Sequence, residues 1–394
     1  MNIISEDEIE KIALGYLQSL GWQYIHGTTI SPDGEQKGRE YNEVILGSRL
    51  RNAIDTLNPT IPHEAKEEAF KKIYRVGVEN FLPLQNNETF HKYLTEGVDV
   101  EVRRGDGIRG DKVYIVDFEN PERNTFLCVN QFTIIENNQN KRPDIILFIN
   151  GLPLVVIELK NPTDENATVK SAFNQLQTYK QAIPSLFTYN SLLIASDAWE
   201  AKAGTITSDW SRFQSWKTKD GKTTADTLQP QMEVMFNGLL NKKTFLDAIK
   251  HFIVFEKSKE KTLKKVAAYH QYYAVNKAVT TTQTAAAESG DRRAGVVWHT
   301  QGSGKSLSMV FYSGKMVLTL DNPTIVVLTD RNDLDQQLFD TFSYCSQLLR
   351  QKPKQAEDRK HLRKLLSVAS GGIVFTTIQK FMPIDDDMIE SNTA

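Results

Sequence analysis

A short loop between a predicted strand and a predicted helix constrains the fold of this chain most. The loop has the sequence TQGSGKS at positions 300–306 and follows the apolar run 295–298. Gly302 and Gly304 allow backbone N–H groups to curl around phosphates, and a helix that begins at Ser306 points its positive end at them. Strand, loop and helix in this order predict a parallel α/β sheet with a nucleotide-binding P-loop.

The residue types of this loop predict the roles of its side chains. Lys305 is expected to contact the β- and γ-phosphates of ATP, and Ser306 is expected to bind Mg²⁺. The full motif begins with glycine where this chain has His299, so the turn there must accommodate a side chain. An ordinary glycine-rich turn is the alternative, which the predicted strand and helix around it disfavour. The predicted nucleotide site comprises Thr300, Gly302, Ser303, Gly304, Lys305 and Ser306.

Strands and helices alternate after the loop. The sequence predicts a helix over 306–318, a strand over 324–329, a helix from about residue 333 and a strand over 373–376. This alternation indicates a parallel sheet with crossover helices. A strand that ends in Asp-Glu should follow to complete the Mg²⁺ site, but the aspartates at 385–387 have no apolar strand before them. We therefore expect an N-terminal fragment of a longer protein that hydrolyses ATP poorly by itself.

A second candidate site lies at the end of a predicted hairpin. The dipeptide Asn-Gly at 150–151 stands between two apolar runs and folds the strand 145–149 back onto the next strand. Asp144 and Glu158 then lie at the same end of the hairpin, and Lys160 lies on the same side of its strand as Glu158. Two carboxylates can hold Mg²⁺, which lowers the pKa of a bound water, and an ammonium group can orient that water.

The register of the hairpin decides whether the two carboxylates share one face. A strict two-residue turn pairs Asp144 with Ile157 and places Glu158 on the opposite face. A common site requires a bulge or a three-residue turn that pairs Asp144 with Glu158, and Pro153 could assist it. We predict such an irregularity. In the alternative interpretation, Glu158 and Lys160 are the solvated end of a buried strand.

Positions 143–144 (Pro-Asp) and 158–160 (Glu-Leu-Lys) resemble the signature of PD-(D/E)xK nucleases. Gln175 and Tyr179 are four residues apart, so they share a helix face, and they match the Gln-x-x-x-Tyr element of the RecB-like branch. The resemblance implies that these two residues position DNA or the catalytic loop; without it they would be ordinary helix surface. Glu43 is a further upstream carboxylate, for which a surface role is favoured.

The C-terminal part resembles the motors of superfamily 2 helicases. Residues 329–331 (Thr-Asp-Arg) resemble the motif that follows the strand after the P-loop, and residues 376–379 (Thr-Thr-Ile-Gln) resemble the next nucleic-acid-contacting motif. Gln271 lies where these motors have a glutamine that binds adenine, so the resemblance implies that it binds the nucleotide. The basic residues between 350 and 364 could touch DNA phosphates, although a solvated charged face is at least as strongly expected.

The charge composition limits how the chain can bind nucleic acid. Its 394 residues carry a formal net charge of -2, so DNA binding must come from local clusters of basic residues. The two cysteines, Cys128 and Cys345, form no metal-ligand pattern and fit a reducing compartment. No apolar run reaches membrane-spanning length and the acidic N-terminus does not resemble a signal peptide, so we expect a cytoplasmic location and no membrane partner.

The remaining patterns divide the chain into two expected domains. Residues 5–8 form a capping-box pattern that opens a helix ending near Gly21. Helices are also predicted over 40–57, 64–74, 166–180, 244–255 and 262–279, strands over 113–118, 125–129, 132–135, 154–159 and 191–194, and a linker over 280–290. We expect an α/β protein with a RecB-like PD-(D/E)xK endonuclease domain of mixed sheet and flanking helices at 1–258. A first RecA-like motor domain without its Walker B motif is expected at 259–394.

The order of the two sites, together with the sequence WHTQGSGKS at 298–306, closely resembles the motor (R) subunit of type I restriction enzymes. Further similar segments are 57–59, 196–197, 213–217 and 328–331. The resemblance implies an ATP-dependent type I deoxyribonuclease that joins methyltransferase (M) and specificity (S) subunits on double-stranded DNA. ATP would drive translocation of the duplex. Asp144 and Glu158 would hold the Mg²⁺ of the nuclease, and Lys160 would support the attacking water.

Two other interpretations stay open at this point. A RecB-like nuclease–helicase fusion in DNA repair would be favoured by iron–sulfur or recombination-hotspot elements, of which the sequence shows none. A non-catalytic coupling module would use Asp144, Glu158 and Lys160 as structure only. Substitution of Asp144 or Lys160 separates the interpretations, because a coupling module predicts unchanged DNA cleavage.

Overall fold

The computed structural model describes residues 5–79, 83–105, 107–162, 168–330 and 332–381. Contacts divide the chain into two compact units. The first unit comprises Met1–Lys250 with Lys264–Tyr269, and the second comprises His251–Leu263 with His270–Ala394. The chain therefore passes from one unit to the other more than once. Arg331 and the aspartates at 385–387, which the sequence analysis singled out, lie outside the described residues.

The first unit is a mixed α/β structure, as the sequence predicts. Its helices are α1 (Glu6–Ser19), α2 (Gly47–Leu57), α3 (His63–Glu79), α4 (Pro83–Glu96), α5 (Val169–Ala182), α6 (Pro184–Thr188), α7 (Gln231–Leu239) and α8 (Lys242–His251). Its strands are β1 (Gln23–His26), β2 (Val98–Arg104), β3 (Gly107–Val113), β4 (Phe126–Asn130), β5 (Ile134–Glu136), β6 (Gln139–Lys141), β7 (Ile145–Ile149), β8 (Leu152–Leu159), β9 (Leu192–Ser196) and β10 (Ala201–Gly204). Short 3₁₀ helices cover Pro121–Arg123 and Trp210–Arg212.

A mixed sheet with the strand order β1-β4-β7-β8-β9-β10 forms the centre of this unit. β1 runs parallel to β4 and β8 runs parallel to β9, whereas the other neighbouring pairs are antiparallel. All residues of β4, β7, β8 and β9 are buried. Strands that are covered on both faces need nearly continuous apolar sequences, which these strands have. A charged side chain at the end of β8 therefore lies in apolar surroundings.

Helix α1 begins as the capping-box pattern predicts. The Ser5 hydroxyl accepts a hydrogen bond from the Glu8 N–H at 3.3 Å, and the Glu8 carboxylate accepts one from the Ser5 N–H at 2.8 Å. The helix ends at Ser19, and the chain then turns at Gly21, whose φ of +84° suits glycine. α1 contacts β1 and β8, which brings its first turn toward the end of the central strand.

The helix predicted over 40–57 begins only at Gly47, so the prediction of its first part is wrong. Arg39 is buried, and its guanidinium donates hydrogen bonds to the carbonyls of Glu40 at 3.1 Å and Glu43 at 3.0 Å. These bonds occupy carbonyl groups that a helix would use for its own ladder. The segment before Gly47 is consequently held as a turn.

The strand predicted over 113–118 is also wrong, because β3 ends at Val113. The side chain of Asn58 accepts a hydrogen bond from the Tyr114 N–H at 2.8 Å and donates one to the Tyr114 carbonyl at 2.7 Å. An amide side chain thus takes the place of a neighbouring strand at this residue. Helix α4 lies where the sequence analysis predicted no element.

The second unit contains the alternating elements that follow the glycine loop. Its helices are α9 (Tyr269–Ala286), α10 (Lys305–Thr319), α11 (Asn332–Tyr344), α12 (Ser346–Leu349) and α13 (Arg359–Leu366), with a 3₁₀ helix at Ile378–Phe381. Its strands are β11 (Ile253–Lys257), β13 (Ile325–Thr329), β14 (Lys354–Gln355) and β15 (Ile373–Thr377), and β12 (Thr262–Val266) spans a unit boundary. No helix in the described ranges is both long enough and apolar enough to cross a membrane.

The sheet of the second unit is parallel, as the alternation of strands and helices predicts. Its strand order is β13-β15-β14, and both neighbouring pairs are parallel. α11 contacts β13 and β15, and α13 contacts β15. Crossover helices therefore pack on this sheet, as parallel strands require.

The strand predicted over 295–298 is wrong, because this segment forms neither strand nor helix. Val296 is 95% exposed and Trp298 is 82% exposed. A strand needs a hydrogen-bonding neighbour, and none of the described strands pairs with this segment. The apolar sequence alone was therefore insufficient to make it a strand.

The predictions between residues 244 and 290 are also partly wrong. Residues 253–257 and 262–266 are strands and not helix, since a short apolar run does not distinguish the two by itself. The predicted linker over 280–290 is largely helical, because α9 continues to Ala286. Threonine hydroxyls there donate to carbonyls one turn earlier, as Thr280 does to Asn276 at 3.1 Å.

Candidate functional site

The hairpin between β7 and β8 contains the predicted irregularity. Its pairs nearest the turn follow a two-residue connection, and the register then shifts by one residue so that Leu147 faces Val155. Leu154 is the extra residue of this β-bulge. When the shifted register is continued, Asp144 lies opposite Glu158. The predicted bulge is confirmed, and it sets both carboxylates on one face of the hairpin.

The turn of this hairpin is held by the residues that surround it. Asn150 and Gly151 have φ angles of +53° and +84°, as a primed two-residue turn requires. The Asn150 side chain accepts a hydrogen bond from the Thr125 N–H at 2.8 Å and donates one to the Ile115 carbonyl at 2.9 Å. A Cβ at position 151 would lie only 2.5 Å from the Leu46 carbonyl oxygen. The turn is therefore fixed by contacts as well as by its sequence.

Asp144, Glu158 and Lys160 form one connected cluster at the end of β8. Asp144 Oδ2 accepts a hydrogen bond from the Leu159 N–H at 2.7 Å, which fixes the carboxylate against β8. Lys160 Nζ lies 3.0 Å from Glu158 Oε1. The Glu158 side chain has no exposed surface, whereas the Lys160 side chain is 16% exposed. The structure thus brings these three predicted residues together.

The environment of the cluster opposes negative charge. Burial raises the pKa of Glu158 to about 8, and repulsion from Asp144 adds to the rise. Burial also raises the pKa of Asp144 to about 6, although the hydrogen bond from Leu159 lowers it. Burial lowers the pKa of Lys160, but the charge and hydrogen bond of Glu158 outweigh this effect, so the net change is upward. The lysine is therefore charged while the carboxylates hold protons unusually tightly.

Gln175 and Tyr179 lie on α5, which packs on β8 and β9. Gln175 Nε2 donates a hydrogen bond to the Tyr179 hydroxyl oxygen at 2.6 Å. Tyr179 is 4% exposed, and burial together with the negative charges of Glu158 and Asp144 raises the pKa of its hydroxyl. The tyrosine therefore stays protonated beside the carboxylates. The structure brings both predicted residues of α5 to the cluster.

Helix α1 adds two carboxylates that the sequence analysis missed. Glu6 Oε1 lies 3.1 Å from Lys160 Nζ, so the lysine joins α1 to β8. Glu10 accepts hydrogen bonds from Asn130 Nδ2 and Gln131 Nε2, both at 2.6 Å. Both glutamates raise the pKa of Asp144 through their negative charge. Glu6 and Glu10 are four residues apart, so they share one face of α1, and this spacing was the sequence signal that they lie together.

Glu43, the other upstream carboxylate, accepts a hydrogen bond from the Glu40 N–H at 2.9 Å. This bond stabilises the turn before α2. The favoured surface role of Glu43 agrees with this local contact.

The carboxylate pair fits a divalent metal ion. Glu158 Oε2 is buried and has no hydrogen-bond partner among the described residues. A buried carboxylate oxygen without a donor is unfavourable, and a bound cation would offset that cost. No group of three or more His, Cys, Asp or Glu side chains is arranged to hold a metal in the part of the chain that the structure describes. Mg²⁺ takes oxygen ligands and usually keeps several waters, so two carboxylates can hold it, and Mg²⁺ at this pair stays a prediction.

The glycine loop of the second unit has the backbone that its sequence predicts. Gly302 and Gly304 have φ angles of +78° and +80°, and α10 begins at Lys305. Lys305 Nζ donates hydrogen bonds to the carbonyls of His299 at 2.9 Å and Thr300 at 3.1 Å. The ammonium group therefore lies over the loop and beside the positive end of α10. A glycine loop that precedes a helix N-terminus can bind phosphate groups, and phosphate binding by this loop stays a prediction.

Two consecutive residues of α9 hold this loop in place. Gln271 Nε2 donates to the Gly304 carbonyl at 3.0 Å and to Ser308 Oγ at 3.3 Å. His270 Nε2 lies 3.1 Å from the Ser303 carbonyl oxygen. His270 was not among the residues predicted from the sequence, although its position beside Gln271 was a signal. Gln271 is thus brought to the loop, and its predicted contact with adenine stays a prediction.

The other two motor-like segments begin at the carboxyl ends of β13 and β15, at one edge of the parallel sheet. Thr329 of β13 faces Thr377 of β15, so the segments that begin at 329 and 376 follow neighbouring strands. The carboxyl ends of parallel strands are a common place for ligand binding. The basic residues between 350 and 364 are divided between the segment that follows α12, β14 and α13, so they do not form one helical face.

Comparisons with known proteins assign the two halves of the chain separately. A family model described as the N terminus of type I restriction enzyme R protein matches residues 3–212. A second model, described as SWI2/SNF2 ATPase, matches residues 270–393. The carboxylate hairpin lies within the first matched range, and the glycine loop lies within the second.

Several curated proteins are similar along the chain. The endonuclease subunit of the type I restriction enzyme HindI from Haemophilus influenzae is 46% identical over 387 residues, which cover 96% of this chain and 36% of that protein. A putative type I restriction enzyme endonuclease subunit, MjaIXP, from Methanocaldococcus jannaschii is 33% identical over 96% of this chain and 37% of its own length. An endonuclease subunit from Staphylococcus aureus is 30% identical over 66% of this chain and 26% of its own length. The chain thus spans about a third of the length of the first two relatives.

Proposed function

Since this chain belongs to the family of type I restriction enzyme R proteins, we propose that it supplies the nuclease and the first part of the motor of an ATP-dependent type I deoxyribonuclease. The observation that carries the proposal is the bulged hairpin. A bulge is what a shared site for Asp144 and Glu158 requires, and Lys160 lies on the same side. A PD-(D/E)xK nuclease fold near residues 1–258 and a RecA-like motor fold near residues 259–394 are part of the proposal.

The proposed nuclease reaction is hydrolysis of a phosphodiester bond in double-stranded DNA. Asp144 and Glu158 would hold Mg²⁺, which supplies charge neutralisation at the scissile phosphate and a more acidic bound water. Lys160 would orient the attacking water and stabilise the developing negative charge. Gln175 and the protonated hydroxyl of Tyr179 would hold Glu158 and the nearby DNA backbone in place. These five side chains form the proposed catalytic group.

The proposed motor site takes ATP and Mg²⁺ at the glycine loop. Thr300, Gly302, Ser303 and Gly304 would present backbone N–H groups to the phosphates, with Lys305 beside them and Ser306 on Mg²⁺. Gln271 would bind the nucleotide while it supports the loop through Gly304. ATP hydrolysis would drive translocation of duplex DNA once the rest of the motor is present.

The proposed complex contains methyltransferase and specificity subunits as well as this chain. The specificity subunit would read the DNA sequence, so this chain would contact DNA without reading bases. A cytoplasmic location is proposed with it. A repair nuclease–helicase fusion is not favoured, because the similar curated proteins are named as type I restriction enzyme endonuclease subunits.

The test is cleavage of a circular plasmid that carries the recognition site, measured together with ATP hydrolysis. The R subunit with Asp144→Ala, assembled with its partner subunits, is expected to lose detectable cleavage and to retain ATPase activity near the wild-type rate. Asp55→Ala is the matched control, because Asp55 is a surface carboxylate that pairs with Lys66 at 3.1 Å. The control is expected to cut normally.

Unchanged cleavage by the Asp144→Ala complex would reject the nuclease assignment and support a purely structural hairpin. Loss of both cleavage and ATPase activity would indicate a misfolded or unassembled subunit. Lys160→Ala then serves as a second test, because Lys160 is partly exposed and its removal leaves the hairpin turn intact. Lys160→Ala is also expected to abolish DNA cleavage while ATPase activity is retained.

A further inference from the structure

β2 and β3 form an antiparallel ribbon whose root is firmly packed. They pair in seven rows, from Val98 with Val113 to Arg104 with Gly107. The valines of β2 at positions 98, 100 and 102 are at most 3% exposed, and β2 contacts α3. Lys72 Nζ on α3 donates a hydrogen bond to the Asp99 carbonyl at 2.7 Å. The root is therefore a fixed base for the remainder of the ribbon.

In the ribbon tip, which is defined as residues 103–110, the side chains that the structure describes are exposed. Ile108 is 61% exposed, and Arg103 and Arg109 are exposed. Neither arginine side chain makes a hydrogen bond, ion pair or ring contact with any residue in the described ranges. Lys112, nearer the root, instead pairs with Asp99 at 2.8 Å. The two arginines therefore carry full charges that the described fold does not use.

Glycines make the ribbon tip thin. Gly107 and Gly110 lie in β3, and a Cβ added at either position would meet nothing within 4 Å. Neither has a positive φ, so backbone conformation does not require glycine there. Glycine weakens a strand and often marks a bulge, a tight bend or a place where another backbone or a ligand approaches closely, and the ladder of β2 with β3 has no register shift. The two glycines thus indicate a surface that something outside the described fold approaches.

The charge of the ribbon tip favours a nucleic acid as that partner. Residues 103–110 contain three arginines and one aspartate, a local charge of +2 on a chain whose net charge is -2. Protein interfaces have apolar or aromatic side chains at their centre, whereas the tip has Ile108 as its one large apolar residue. A two-stranded β-ribbon fits the major groove of B-form DNA, which is about 12 Å wide.

We propose that the ribbon tip is a DNA-binding arm that lies in a groove of duplex DNA, with Arg103 and Arg109 on the phosphates that border it. The two arginines project from opposite faces of the ribbon, since Arg103 pairs with Ile108 and Arg109 pairs with Val102. They can therefore contact both sides of one groove. This inference rests on the proposed function, because duplex DNA is the substrate of that site.

The test is binding of a fluorescent duplex of random sequence to the full-length R subunit, measured by anisotropy over a series of salt concentrations. Arg103→Ala with Arg109→Ala is expected to weaken binding about tenfold at low salt. Each lost phosphate contact reduces the slope of log K against log salt by about 0.9, so the double variant should lose about 2 units of slope. The double lysine variant, Arg103→Lys with Arg109→Lys, keeps the charge and is expected to retain the slope.

Lys112→Ala is the matched control, because it removes a cation from the same ribbon that is already paired with Asp99. It is expected to leave the salt slope unchanged. Equal slopes for wild type and the double alanine variant would overturn the proposal. Failure of the double alanine variant to assemble with the partner subunits, with DNA binding intact, would also overturn it and assign the arm to a protein interface.

Asp144→Ala separates this proposal from the nuclease assignment. It is expected to bind the duplex as wild type does and to lose cleavage. If Asp144→Ala still cuts DNA, the nuclease assignment fails while the result for the arm stands. If the double alanine variant keeps its salt slope, the arm fails while the nuclease assignment stands.

Discussion

Glu158 has no exposed surface, and its surroundings oppose its negative charge. It ends a strand whose residues are all buried, and Asp144 lies opposite it in the shifted register. Lys160 compensates one carboxylate oxygen at 3.0 Å, whereas the other oxygen has no donor among the described residues. Such a group binds either a proton or a cation, and the choice between them depends on pH.

Magnesium affinity is therefore expected to depend on pH at this site. Mg²⁺ must displace the proton of Glu158, whose pKa is raised to about 8. Between pH of about 6 and 8 the affinity should rise about tenfold per pH unit, because one proton leaves for each ion bound. Titration calorimetry at several pH values with nucleotide absent measures this dependence. Asp144→Asn with Glu158→Gln should remove the binding, and affinity that does not change with pH would contradict the assignment.

Replacement of Glu158 by glutamine is expected to stabilise the fold at alkaline pH while it abolishes cleavage. The folded-state pKa of Glu158 lies above its ordinary value, so the wild-type protein loses stability as pH rises from about 4.5 through about 8. Glu158→Gln does not titrate, so at a pH of about 9 it should be more stable by on the order of 2 kcal/mol. Urea unfolding without Mg²⁺ at acidic and alkaline pH tests this. A variant that is less stable than wild type at both pH values would refute the expectation.

The residues of the carboxylate cluster were predictable to the extent that they are close in sequence. Asp144, Glu158 and Lys160 lie on one hairpin, and the residues of α5 follow at a helical spacing. Glu6 and Glu10 come from α1, about 150 residues before Lys160 in the sequence. Their approach depends on how α1 packs on β8, which no local pattern encodes. Long-range packing therefore limited the prediction at this scale.

At the scale of elements, the β-bulge was predictable because chemistry demanded it. A regular hairpin would have separated Asp144 and Glu158, and the structure contains the shift at Leu147 and Phe148. The segment 295–298 shows the opposite case, because an apolar pattern was present and no neighbouring strand was. The linker over 280–290 was mistaken for a different reason, since threonine favours loops until its hydroxyl bonds within the helix. The strands β7 and β8 were predicted correctly, and the strand that pairs with each of them lies nearby in the sequence.

The hairpin turn is expected to be sensitive to a single methyl group. Gly151→Ala adds a Cβ at 2.5 Å from the Leu46 carbonyl oxygen and strains a φ of +84°, so it should cost at least about 3 kcal/mol of unfolding free energy. Gly105→Ala is the matched control, because its φ is +61° and its Cβ would meet nothing within 4 Å. It should cost only about 1 kcal/mol. Denaturant unfolding compares them, and equal losses would show that the contact with Leu46 is unimportant.

At the scale of the whole molecule, the two proposed phosphate-handling sites lie in different units, so we expect that each can be disabled separately. Asp144 belongs to the first unit and Lys305 to the second. Under the proposed function the sites depend on each other in one direction only, because cutting follows translocation. The nuclease variants should therefore leave ATP hydrolysis intact, whereas loss of the motor should prevent cutting.

Lys305→Ala tests this direction of dependence. It removes the ammonium group that the proposal places beside the phosphates, so the assembled complex is expected to lose ATP hydrolysis by at least about a hundredfold and plasmid cleavage with it. Lys315→Ala is a control on the same helix, since Lys315 Nζ donates a hydrogen bond to Asn276 at 2.6 Å and lies away from the loop in sequence. Plasmid cleavage and phosphate release are measured together. Cleavage that continues without ATP hydrolysis would contradict a motor-dependent nuclease.

Because the chain passes between the two units more than once, the residue at which a fragment ends decides whether that fragment contains a complete unit. Lys264 lies in the segment that returns to the first unit, where its buried amino group donates to Asn87 Oδ1 at 2.8 Å and to the Asn190 carbonyl at 2.6 Å. A fragment that stopped at residue 250 would remove this donor from both oxygens, and the Asn190 carbonyl would keep only its hydrogen bond from Asn87 Nδ2 at 2.7 Å. An excised nuclease should therefore extend to Tyr269, and proteolysis before Lys264 should release a fragment that aggregates.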